Sequence, residues 1–72
     1  MYMQNYLTIF INGDPFHCDS SMSLTDILLY LNINLDHVVV EYKNQIIDKK
    51  RFNTLFFQSN DSIELITIVG GG

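Results

Sequence analysis

The chain has 72 residues, 47% of them hydrophobic, and a formal net charge of -4. A chain this short buries only about 60% of the surface it exposes when unfolded, so it supports one domain, one modest core and no deep pocket of its own. Its four Lys and Arg residues are too few for the basic stripe of a nucleic-acid binder. No apolar run approaches the ~18 residues of a membrane span. Cys18, the single cysteine, can make no internal disulfide, which fits a reducing compartment.

The N-terminal stretch Met1-Tyr2-Met3-Gln4-Asn5 lacks the basic start of a signal peptide and the arginines of a transit peptide. The expectation is a protein that works where it is made, in the cytoplasm, or in the plastid stroma if organelle-encoded. The lean toward Ile, Asn, Phe and Tyr fits an AT-rich genome such as an organelle's. Tyr6 to Ile11 is β-branched and aromatic and predicts a strand, with Leu7, Ile9 and Ile11 on one face. Asn12-Gly13-Asp14-Pro15 is a turn signal, and Phe16-His17-Cys18-Asp19 alternates as the return strand of a hairpin. Ser23 predicts a helix start near residues 23 to 32, with Asp26 completing a capping box and Met22 and Ile27 placed for a hydrophobic staple. Leu24, Ile27, Leu28 and Leu31 give the helix one apolar face.

Val38 to Tyr42 is the next strand, and its three valines predict a central position. Lys43-Asn44-Gln45 turns the chain, Ile46-Ile47 makes a short strand, and residues 49 to 55 hold a short helical turn. Ser59-Asn60-Asp61-Ser62 is a turn and Ile63 to Val69 is the last strand. This order packs most economically as one helix across one face of a mixed sheet of four to five strands. That is an α+β β-grasp of the ubiquitin-like kind, with the last strand inside the sheet. The domain is expected over 1-69, with 70-72 as a flexible glycine tail.

The tail is the strongest chemical feature. Gly70, Gly71 and Gly72 follow a strand with no polar linker between. Without Cβ atoms such a tail threads a narrow channel, and three extended residues reach about 10 Å. Its terminal carboxylate is a poor electrophile until it is activated, for example as an acyl-adenylate. The chain has no phosphate-binding glycine loop of either common type, so no cofactor is expected and activation falls to a partner. The chain reads as a carrier, not an enzyme.

Ile66-Thr67-Ile68-Val69-Gly70-Gly71-Gly72 resembles the C-terminus of the ThiS sulfur carrier family of thiamin biosynthesis. Ile9 to Gly13, Ser23-Leu24 with Leu28-Leu29, Val38 to Glu41, Ile46-Ile47 and Asp61 to Leu65 resemble further parts of that family, so the likeness runs through nearly the whole chain. Asp48 stands where the family often has proline, Phe52 where it often has tryptophan or tyrosine, and Asn60 where glycine is usual. The resemblance implies that a ThiF-like adenylating enzyme activates Gly72 and that a cysteine desulfurase supplies sulfur to make a thiocarboxylate. Thiazole synthase, ThiG, then accepts the sulfur. Gly70 and Gly71 enter the partner with it. A molybdopterin-synthase small subunit would use the same tail chemistry. A glycine tail also suits a ubiquitin-like modifier that ends in an isopeptide bond, and it can end an interaction module without taking part in any reaction.

Other residues carry less. Cys18 reads as a small hydrophobe facing the core beside Phe16. His17 and His37 lack metal-ligand spacing with it, so no metal is expected. Asp14, Asp19, Asp26, Asp36, Asp48 and Asp61 sit at turns and helix ends, where aspartate is locally favoured. Lys49-Lys50-Arg51 reads as a solvated turn. The last strand is apolar on both faces, and one helix covers one. Two readings of Ile66, Ile68 and Val69 stay open: a surface covered by loops or by Phe56-Phe57, or a partner-docking patch beside the tail.

Overall fold

The computed structural model describes residues 5–68. The expected domain and glycine tail, 1-69 and 70-72, therefore reach beyond the described residues at both ends.

Strand β1, Tyr6–Ile11, pairs antiparallel with β2, Asp14–Asp19. The turn between them is tighter than the four-residue signal, because only Asn12 and Gly13 lie outside the strands. Both have positive φ, at 52° and 87°, the geometry that matches the twist of a two-residue hairpin. Pro15 falls inside β2, where it is tolerated because β2 is an edge strand.

Helix α1 spans Leu24–Tyr30, shorter at its C-terminal end than the expected range. Ser23 is its N-cap. The Ser23 hydroxyl accepts from the Asp26 N–H at 3.2 Å, and the Asp26 carboxylate accepts from the Ser23 N–H at 3.0 Å, which closes the capping box. The helix stops at Asn32, whose φ of 64° is the left-handed turn that asparagine tolerates. Leu24, Ile27 and Leu28 are fully buried, as the spacing predicts, and Met22 packs against the same core.

A 3-10 turn at Leu35–His37 leads into β3, Val38–Tyr42. Lys43 and Asn44, both at positive φ, turn β3 into the two-residue β4, Gln45–Ile46. A second 3-10 turn follows at Lys49–Arg51, and β5 covers Ser62–Thr67. The sheet order is β2-β1-β5-β3-β4, with β1 and β5 parallel and the other pairs antiparallel. The centre of the sheet is thus β5. The valine run of β3 lies one place out, with only β4 beyond it.

The helix packs on the face bearing Ile9, Cys18, Val38, Val40, Ile63 and Leu65, and Ile47, Phe52 and Phe57 close the same core. Burying each large aliphatic side chain contributes about 1.5–3 kcal/mol. No buried side-chain nitrogen or oxygen among the described residues lacks a hydrogen bond.

Candidate functional site

The site is the end of β5, from which the chain continues to the glycines. Two neighbours hold that end. On one side β3 pairs with β5 from Tyr42↔Ile63 to Val38↔Thr67, and the Ile68 N–H donates to the His37 carbonyl at 2.7 Å. On the other side β1 stops at Ile11, and Asn12 takes over. The Asn12 N–H donates to the Ile63 carbonyl at 3.0 Å. Its side-chain oxygen accepts from the Leu65 N–H at 2.7 Å, and its side-chain nitrogen donates to the Leu65 carbonyl at 3.1 Å. A primary amide carries a donor and an acceptor in the arrangement of a peptide group, so Asn12 extends the ladder by one rung.

The turn that feeds β5 is tied down as well. The Tyr42 hydroxyl donates to the Asp61 carboxylate at 2.6 Å, and the same carboxylate oxygen accepts from the Gln58 N–H at 2.8 Å. Burial first, then the bond to Asp61 and its charge, push the Tyr42 phenol up to about 12. Asn60 adopts a φ of 71°, the conformation for which glycine would otherwise be chosen.

On the sheet face away from the helix, Ile66 is 57% exposed and Ile68 52% exposed. Phe57 turns into the core and Phe56 is itself half exposed, so the reading in which that segment covers the last strand is set aside. Val39, opposite Ile66, is half-buried, and Ile46 at the sheet edge is exposed. Glu41 and Glu64 face each other directly across β3 and β5. Val69, Gly70, Gly71 and Gly72 lie outside the described residues.

The other candidates fall apart as a site. Cys18 is buried; burial, then the neighbouring Asp19, push its thiol up. A raised thiol is a poor nucleophile. The Asp19 carboxyl is held low by bonds from the Ser21 N–H and hydroxyl. His17 shares a hydrogen bond of 2.8 Å with the Thr8 hydroxyl on the exposed face, and His37 ends a 3-10 turn. Among the described residues no group of three His, Cys, Asp or Glu side chains is placed to hold a metal. Lys49 pairs with Asp36 on the surface, and Lys50 and Arg51 are exposed. Sequence reasoning missed the two ties that shape the site, those of Asn12 and Tyr42. Asn12 was legible only as a turn residue.

A five-stranded mixed sheet with a parallel β1–β5 pair and one helix across it defines a β-grasp protein of the ubiquitin-like class. The ubiquitin-like domain of yeast Ddi1 superposes on it with a TM-score of 0.61 at 16% identity, over the whole of both chains. Within that class the thiamine biosynthesis protein (ThiS) from Geobacter metallireducens is more similar: TM-score 0.75, 25% identity, covering 92% of this chain and all of that one. The ThiS family model matches residues 9–72, and the chain belongs to the ThiS family. Among relatives, the uncharacterized protein ycf40 of Trieres chinensis is 42% identical over 65 residues, 90% of this chain and 89% of that protein. A thiazole synthase of Magnetococcus marinus is 26% identical over 66 residues, 92% of this chain but 20% of that protein.

Proposed function

We propose that this protein is a sulfur carrier of thiamin biosynthesis whose working group is the α-carboxylate of Gly72. The observation that carries the reading is a ThiS-family β-grasp whose central strand is followed in the sequence by Gly70, Gly71 and Gly72. In the proposed reaction an adenylating enzyme of the ThiF class joins the carboxylate oxygen to the α-phosphorus of ATP, releasing pyrophosphate. The outer sulfur of a persulfide on a cysteine desulfurase attacks the carbonyl carbon and AMP leaves with the oxygen, giving an acyl disulfide. A thiol such as free cysteine then cleaves the S–S bond, releasing the thiocarboxylate and leaving a mixed disulfide on the desulfurase. Thiazole synthase then takes the sulfur. The likeness of this chain to part of a thiazole synthase supports that last partner. Gly70 and Gly71 lie in the partner's channel, and Ile66, Ile68 and Val69 rest against its surface. The algal relatives, ycf40 proteins of plastid genomes, favour the plastid stroma as the place of work.

The test is intact mass after incubation with ATP, the adenylating enzyme, the desulfurase and cysteine. The wild-type chain is expected to exchange one oxygen for sulfur. A chain with one alanine appended after Gly72 is expected to stay unloaded, because the reacting carbon has moved by one residue and near-attack geometry tolerates errors of only about 1 Å. Cys18→Ser, once shown to be folded, is expected to load as wild type does. Normal loading of the extended chain, or failure of folded Cys18→Ser, overturns the assignment.

A further inference from the structure

The last strand reaches its end with one edge paired and the other open. In an antiparallel ladder alternate residues turn their backbone groups to opposite sides. Ile68 faces β3, through its bond to His37. Ile63 and Leu65 face β1 and are met by Asn12. Thr67 stands two residues beyond Leu65 and faces the same way. There β1 has already ended and the chain has turned away at Asn12 and Gly13. Among the described residues nothing hydrogen-bonds to the Thr67 N–H or carbonyl on that side, and Thr67 is exposed. Thr67 is nevertheless held extended, because β3 still pairs on its other side at Val38. Ile66 and Ile68 flank it with exposed apolar side chains.

We propose that Thr67 is a one-residue strand edge to which the adenylating partner adds an extended segment of its own backbone. The proposal rests on the carrier reading above. A donor and an acceptor side by side on an extended strand are both matched by another extended backbone, whereas an ion meets only one of them. A second copy of this chain fits poorly. Each copy has a net charge of -4 and offers a single residue of edge, and pairing would run each tail alongside the other body. The consequence is positional. From Thr67 to Gly72 an extended chain spans about 17 Å. Backbone pairing at Thr67 would therefore fix how far the carboxylate reaches into the partner, which a slippery apolar contact alone would not do.

Thr67→Pro deletes an N–H that the described residues leave unused, and proline is accepted at strand edges. Thr67→Val changes the side chain and keeps the backbone. Binding of each full chain to a purified ThiF-class enzyme is measured, and amide exchange at Thr67 is read by NMR in the free and bound wild-type chain. Thr67→Val is expected to bind as wild type. Thr67→Pro is expected to bind about tenfold more weakly, since it leaves a buried partner carbonyl unpaired. The Thr67 amide should exchange fast when free and slowly when bound. A Thr67 amide that still exchanges freely in the complex overturns the proposal whatever the proline variant does. So does equal binding of the proline and valine variants, or protection of the free chain that grows with concentration as it dimerises. A wild-type chain that the enzyme does not adenylate at all is a different result, because it removes the carrier reading itself.

Discussion

Tyr42 and Asp61 tie the turn before the last strand to the strand beside it, and one proton lies in that tie. The phenol is pushed up to about 12 by burial and by Asp61, whereas an unperturbed tyrosine ionises near pH ~10. Between those values the folded chain holds a proton that the unfolded chain has lost. The sign follows from linkage: the contribution is complete below about pH 10 and is lost as pH rises toward 12. Urea unfolding between neutral pH and pH 12 should show the wild-type midpoint falling across that window. Tyr42→Phe should start about 1 kcal/mol less stable at neutral pH, for the lost hydrogen bond, and fall less steeply above pH 10. The comparison with Tyr42→Phe isolates this residue from the other three tyrosines of the chain. Parallel curves for the two proteins would mean that the Tyr42 proton is not linked to folding.

Among the elements, β3 and β5 meet in the least comfortable pairing of the sheet. Glu41 stands directly opposite Glu64, and among the described residues the one ion pair is Lys49 with Asp36, elsewhere on the surface. Like charges directly across a ladder destabilise, and opposite charges contribute about 0.2–1 kcal/mol. Glu64→Lys should therefore raise the free energy of unfolding by an amount in that range, and the unfolding midpoint with it, the gain shrinking in high salt. An unchanged or lowered midpoint would show that solvent already screens the pair. The elements most legible in the sequence were those written locally. The Tyr6–Ile11 strand, the Ser23–Asp26 capping box and the Ser59-Asn60-Asp61-Ser62 turn each depend on residues a few positions apart. What joins them was not legible. Asn12 and Leu65 are 53 positions apart, and no turn rule says that a turn asparagine will also close a distant strand. The valines of Val38 to Val40 pointed to the centre of the sheet because a run apolar on both faces is usual there. In this fold β5 takes the centre and β3 meets only two residues beyond it. For Ile66 and Ile68 the alternation of apolar residues on both faces left the exposed side undetermined, and only the packing of Phe57 into the core decided it.

At the scale of the whole molecule, the fold presents one strand end and covers little of what surrounds it. The helix and its core occupy one face of the sheet, and the opposite face carries Ile66 and Ile68 half exposed beside the exit toward the glycines. Folding draws little stability from these two side chains, whereas a partner that covered them would gain from both, by about 1.5–3 kcal/mol for each if fully buried. Ile68→Glu separates the two roles. Its backbone bond to His37 does not involve the side chain, and a substitution at a half-exposed position outside the core usually costs within about 0.5 kcal/mol. In the proposed complex the same change would forfeit the apolar contact and place a carboxylate in the interface, next to strands that already present Glu41 and Glu64. Binding to the adenylating enzyme or to thiazole synthase should weaken by about tenfold or more, while the thermal midpoint shifts by only a few degrees. Titration calorimetry and thermal unfolding of the same preparation read both quantities. A variant that unfolds would return Ile68 to the core. One that binds both enzymes as wild type does would remove the docking role from this face and leave recognition to the tail and to the backbone edge at Thr67.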